Sequence, residues 1–446
     1  MKASTSLLDM NLTEIAKWLL RAILIFCLVL EFMVLDLGLP SGIRFVADIT
    51  MIIVTVFVLL DRKNISVQRE ANLRSYTGKA IGLFVIWASL SALFNFVPTS
   101  LYIWAMRNTG RFLLYFCFCA LVFTLDDWKK LMRTLSIFVV INTLFIVYQF
   151  VVLGVRQDYL NGFLGTYVGG NSALNTLYIV VTAWLISSFL SNEMKLVNII
   201  LPVGSMIIAS ALNELKFYYV ELIIILLVCA LTSSTSRNDV LKGMGVALGA
   251  AIAFLLGTQL LSLFYPGFRD FFTFETLQEY LFSRSYNSSE QLFVSGVPVM
   301  NRLSSIIIIP KYFFDSLGNY IMGIGFGATE TSSISIFTSS FSLMYGDTNY
   351  QGYSSAYLLL ELGYVGVLLY FGIFLSVMYY SVKQIKKLND DSSSAIYSFG
   401  IAIAFLAIVL CFYNSALRIE TSGYLLFAAL AVPFMFGNAS PRRHGC

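Results

Sequence analysis

Twelve runs of apolar residues, each long enough to cross about 30 Å of hydrocarbon as a helix, follow one another along this chain. They fall at 18–37, 45–60, 80–97, 101–123, 135–153, 173–190, 197–212, 217–231, 244–264, 354–382, 396–413 and 422–436. A backbone in lipid must satisfy its own polar groups, so runs of this length predict helices. Composition agrees: 58% of the 446 residues are hydrophobic and only 12% are charged, where a soluble domain carries about 25% charged residues. The expectation is an all-α polytopic membrane protein with about twelve transmembrane helices, one integral membrane domain over 1–446.

Lysine and arginine set the orientation. Residues 61–79 hold Arg62, Lys63, Arg69, Arg74 and Lys79; residues 126–133 hold Lys129, Lys130 and Arg133; residues 381–391 hold Lys383, Lys386 and Lys387; Arg442 and Arg443 lie in the tail. These segments alternate with sparsely charged ones, which places both termini in the cytoplasm. The first span lacks a small-residue cleavage site and reads as a retained helix. A net charge of +4 does not argue for nucleic acid, and the basic residues read as topology determinants.

That orientation puts residues 264–353, a connection far longer than most others, on the periplasmic or extracellular side. Long loops are usually functional. Arg269, Arg284, Arg302 and Lys311 are outnumbered there by seven acids, residues 270–286 and 299–317 read as short amphipathic helices, and residues 322–327 as a tight turn. No ATP is present on that side, so any reaction must draw on energy stored in its substrate or in a gradient.

The residue inventory removes several chemistries. The only histidine is His444, in the tail, which excludes histidine-based metal sites and serine–histidine triads. Cys27, Cys117, Cys119, Cys229 and Cys411 lie in spans and Cys446 ends the chain, so no disulfide framework stabilises the loop. What remains is cationic. Arg107 and Arg111 share one face of a span entering from the outer side, and Lys216, Arg418, Arg44 and Arg302 fall near that surface. Charges at such depth are costly and mark function or ion pairs. Converging guanidinium groups suit a diphosphate; pairing of Arg107 and Arg111 with Glu31, Asp36 or Asp48 is the competing reading. Asp347, Glu330, Glu361 and Glu290 are candidate general bases by location. Tyr350, Tyr353 and Tyr357 are candidate sugar-stacking aromatics or interfacial belt residues.

Three segments carry a family likeness: residues 211–217 (Ala-Leu-Asn-Glu-Leu-Lys-Phe), where a basic residue opens a span; the turn 322–327 (Met-Gly-Ile-Gly-Phe-Gly); and residues 357–366, which contain Glu361-Leu362-Gly363. With the topology of the whole chain, they make it resemble the O-antigen and capsular polysaccharide polymerases, in the superfamily that also holds the O-antigen ligases. The resemblance implies a GT-C-like, metal- and cofactor-independent glycosyltransferase of the bacterial cytoplasmic (inner) membrane. It would polymerise oligosaccharide repeat units carried on undecaprenyl diphosphate into lipopolysaccharide O-antigen, capsule or exopolysaccharide, with a chain-length-regulating co-polymerase as a possible partner. Diphosphate binding falls on Arg107, Arg111, Lys216, Arg302 and Arg418, with Lys216 standing where many relatives have arginine. Asp347 or Glu361 is left as the base, and Tyr350 and Tyr353 as sugar contacts.

Two alternatives remain. The ligases carry a histidine before the Glu-Leu-Gly motif, and residues 347–354 (Asp-Thr-Asn-Tyr-Gln-Gly-Tyr-Ser) hold none. A secondary transporter or lipid-linked sugar flippase would fit twelve spans, but the long loop interrupts the second half, and paired Gly- or Pro-broken spans are not evident.

Overall fold

The computed structural model describes residues 12–233 apart from 168, single positions between 245 and 281, and residues 293–387 and 394–435. Nearly all of this is helix. Before the long loop come α1 (Leu12–Glu31), α2 (Phe45–Leu60), α3 (Val67–Leu73), α4 (Lys79–Phe94), α5 (Thr99–Val122), α6 (Leu125–Val151), α7 (Asn171–Leu190), α8 (Val197–Leu212) and α9 (Lys216–Ser233). The loop holds a small hairpin, β1 (Phe293–Val294) with β2 (Val297–Pro298), and the short helices α10 (Ser305–Phe313), α11 (Leu317–Met322) and α12 (Ser340–Tyr345). Then come α13 (Ser354–Ile385), α14 (Ser394–Tyr413) and α15 (Glu420–Met435).

Seven helical stretches among the described residues are long and apolar enough to cross a membrane: α1, α2, α3 continued into α4, α6, α7, α13 and α14. α8 and α15 are apolar but shorter. α5 is a helix where one is expected, yet Arg107, Asn108 and Arg111 near its middle lower its apolarity and keep it outside the seven. The expected span 244–264 and amphipathic helix 270–286 lie outside the described residues. The second expected amphipathic helix, 299–317, is cut down to α10.

Packing sorts the helices into a centre and a periphery. For α7, 94% of the spanning window is buried, for α14 78%, and every residue of α15 from Thr421 to Met435 is buried. Helices apolar on all sides belong in a core. The outer helices turn apolar residues outward instead: Ile49, Ile52 and Leu59 on α2, Leu83, Ile86 and Leu93 on α4, Ile137, Ile141 and Leu144 on α6. Exposed apolar area on this scale needs a non-aqueous surround or a partner.

Successive helices alternate between two ends of the bundle. One end gathers the start of α1, the 61–79 segment, the start of α6 and the α7–α8 turn. Thr13 Oγ1 donates to Asp61 there, Arg69 donates to the Phe123 carbonyl at 2.7 Å, and Arg21 pairs with Asp127, which completes a capping box with Thr124. Ser191 and Ser394 bring the α7–α8 turn against the start of α14 at 3.0 Å. This is the basic end. The long loop packs on the other.

The loop is bound there by a break in α13. Gly363 leaves the helix with φ 63° and ψ −169°. A helix that stops leaves its last carbonyls without donors. Here the Leu360 carbonyl accepts from the Ile324 N–H at 2.7 Å and the Glu361 carbonyl from the Gly325 N–H at 3.2 Å. Trp87 Nε1 donates to the Leu362 carbonyl at 3.2 Å, and Ser91 Oγ stands 2.9 Å from the Glu361 carbonyl and 2.7 Å from that of Met322. The turn 322–327 is therefore the cap of a broken helix, threaded against it closely enough that a Cβ on Gly323 (φ 71°) would lie 2.4 Å from the Glu361 carbonyl carbon. A Cβ on Gly363 would lie 2.6 Å from Ile321 backbone atoms.

Gly363→Ala is expected to cost about 2 kcal/mol or more through backbone strain alone. Gly372→Ala, on the same helix with nothing within 4 Å of its added Cβ, is expected to stabilise by up to about 1 kcal/mol. Thermal unfolding of the detergent-solubilised protein checks both; equal effects would refute the cap.

Candidate functional site

At the end of the bundle opposite the basic one, charged side chains gather in three clusters, the first two of them linked. The first joins α2, α5 and the start of α15. Arg107 Nε donates to Asp48 Oδ2 at 2.9 Å, and Arg111 Nη1 donates to Glu420 Oε1 at 2.6 Å. Each arginine also reaches the other carboxylate, Arg107 to Glu420 at 3.2 Å and Arg111 to Asp48 at 3.5 Å. Trp104 lies under the Arg107 guanidinium at 4.6 Å. Two cations and two carboxylates make this quartet neutral.

The second cluster hangs from the α13 break. Glu361 Oε1 accepts from the Thr329 hydroxyl at 2.7 Å and its N–H at 3.2 Å, and the Tyr350 hydroxyl donates to the Thr329 carbonyl at 2.7 Å. The neighbouring Glu330 pairs with Arg418, whose guanidinium lies 3.8 Å over the Tyr357 ring. Asn108 connects the clusters: its carbonyl accepts from Arg107 at 3.1 Å, and its amide donates to Glu330 at 2.8 Å.

The third cluster lies where the loop meets α9 and α14. Lys216 stands 3.8 Å from Glu214. Arg302 and Asp158 are within electrostatic reach of it. Arg302 lies 4.9 Å over the Tyr413 ring and donates to Asn301 at 3.0 Å; the Tyr353 hydroxyl donates to the same Asn301 oxygen at 3.1 Å. Phe217 stacks on Tyr413 at 4.0 Å. Asp158 accepts from Asn171 at 2.7 Å. Although Asp158 still reaches solvent, burial pushes its carboxyl above the usual range, against the pull of Arg302 and Lys216. Burial raises Glu214 in the same way, against Lys216.

The sequence-derived residues thus divide. Arg107, Arg111 and Arg418 fall in one network with Asp48, Glu420 and Glu330, while Lys216 and Arg302 fall together in another. Glu361 and Glu330 are each 1% exposed, so both carboxylates are sealed in the fold. Asp347 is exposed in the turn 346–348 and, among the described residues, enters none of these ion pairs. Tyr350 and Tyr353 are 0% and 8% exposed, their rings and hydroxyls spent on protein contacts, so neither offers an open face to a sugar here. Glu290 lies outside the described residues. Glu420, Asp158, Asn108 and Tyr413 escaped the sequence reading. Glu420 pairs with an arginine 309 residues away, and no local pattern marks such a contact.

No protein-family model matches the chain, and no curated protein matches its sequence.

Removing one member of a buried pair strands the other. Glu420→Gln and Arg111→Met are each expected to cost about 3 kcal/mol, and the double variant less than the sum. Additive losses in unfolding measurements would dissolve the quartet. Asp158 carries a sign. Its folded pKa is raised, so its ionised form opposes folding, with no effect below the unfolded carboxylate range and full effect above the raised value. Asp158→Asn should therefore gain stability over the parent as pH climbs from about 4 toward neutrality. A gap that widens toward acid would contradict this.

Proposed function

We propose that this protein is a membrane glycosyltransferase that polymerises undecaprenyl-diphosphate-linked oligosaccharide units into a surface polysaccharide. In this reading twelve helices span the bacterial cytoplasmic membrane, both termini are cytoplasmic, and the long loop works on the outer face. One observation carries the proposal: Lys216 and Arg302, from distant parts of the chain, converge beside two carboxyls with raised pKa and the stacked rings of Phe217 and Tyr413.

The terminal hydroxyl of an incoming unit attacks the anomeric carbon of the growing chain. The bond from that carbon to the diphosphate oxygen breaks, and the lipid diphosphate leaves with its electron pair. Lys216 and Arg302 offset the charge that develops on the leaving group. Asp158, poised by burial, accepts the proton of the attacking hydroxyl. Glu214 takes up a proton when the diphosphate displaces it from Lys216, which resolves the near-neutral charge of the cluster. Arg107, Arg111 and Arg418 hold the loop and α15 in register rather than touching substrate.

A second reading, a transporter of lipid-linked sugars, draws on the break of α13, because discontinuous helices build transporter sites. Deleting the gene and resolving surface polysaccharide on a gel separates the two. Accumulated single repeat units without a ladder support the polymerase, and full-length chains stranded on the lipid diphosphate indicate a ligase. Loss of surface repeat units and ladder together favours the transporter of lipid-linked sugars, and an unaltered profile removes both readings. Restoring the gene as Lys216→Ala or Arg302→Ala should leave single units at normal protein levels; a normal ladder from both would move the site elsewhere.

A further inference from the structure

A cavity of about 480 Å³ opens at the basic end of the bundle, far from the clusters above, between the first turns of α6, the last turns of α7 and the start of α8. Its volume is in the range of small-ligand sites. Lys129 and Arg133 stand one turn apart on the wall from α6. Lys129 pairs with Glu193 across the opening at 2.9 Å, whereas no ion pair among the described residues engages Arg133. Ser188, on the α7 wall, is 1% exposed, and its hydroxyl has no hydrogen-bond partner. Asn198 adds an amide, and Trp184 an apolar wall.

The hollow presents the Arg133 guanidinium, the Lys129 ammonium shared with Glu193, and the Asn198 amide, a donor set that suits an acceptor-rich anion. We infer that this cavity binds a phosphate group, presented as the headgroup of an anionic phospholipid. Exposed apolar residues run on from it: Ile137 lies one turn beyond Arg133, and Val197 and Leu201 flank Asn198, at 56%, 71% and 66% exposure. Acyl chains along that surface would leave the phosphate at the level of Arg133, the arrangement by which basic pockets between helices hold lipid headgroups. The site does not depend on the proposed transferase activity.

Native mass spectrometry of the full chain, released from nanodiscs of phosphatidylcholine with and without phosphatidylglycerol, tests it. Phosphatidylglycerol should be retained in preference to phosphatidylcholine, with retention about tenfold weaker in Arg133→Gln and reduced in Asn198→Ala. Both residues are exposed, so the changes avoid the core packing, and unchanged thermal unfolding verifies the fold. Inorganic phosphate, titrated in detergent without anionic lipid, is the second arm. Phosphate binding sensitive to Arg133 with no lipid preference would keep the anion site and reassign its source to a free phosphate ester. If neither ligand distinguishes the parent from the variants, the inference is overturned.

Discussion

Backbone polar groups in an apolar interior must find partners, and one such requirement organises the end of this protein opposite the basic one. At Gly363 the longest helix among the described residues stops and restarts, releasing carbonyls where unsatisfied groups cost several kcal/mol. The Ile324 and Gly325 amides, the Trp87 indole and the Ser91 hydroxyl supply the missing donors. Because the capping strand is the loop itself, the break registers everything that follows it. Thr329 reaches Glu361, Glu330 meets Arg418 and Asn108, and Asn108 touches Arg107. A chain of contacts thus runs from one backbone defect to the ionic quartet.

Charge obeys the same economy. Arginines packed between helices are tolerated only with compensation, and the quartet, drawn from three separate helices, supplies it. A fully compensated arginine is a poor place to hold a substrate phosphate, since the ligand must first displace a carboxylate and leave it stranded. Lys216 and Arg302 face acids of another kind. Burial raises the carboxyls of Asp158 and Glu214, so each takes up a proton more readily than an ordinary surface carboxylate. The contrast between locked and releasable ion pairs is what separates architecture from candidate chemistry.

Much of the architecture was legible in the chain. Run length predicts a nearly all-helical chain, and seven of its helices among the described residues are long and apolar enough to span a membrane, because the cost of exposing polar backbone to hydrocarbon is a local property. The sequence also placed the important glycines and cations. It could not rank them. The Gly-Ile-Gly-Phe-Gly turn looks like any flexible loop until Gly323 is seen wedged against Glu361, and Glu361 looks like a free acid until Thr329 closes over it.

Pairing between distant elements belongs to the tertiary structure alone. Whether Arg111 is free or neutralised depends on Glu420, 309 residues later. Whether Tyr350 meets solvent depends on what packs around Thr329, to whose carbonyl it donates, and the acids beside Lys216 owe their raised pKa to desolvation in the folded chain. Charge is written in each residue, but its availability is decided by what folds against it, and Coulomb and desolvation terms depend on distance in space rather than along the chain.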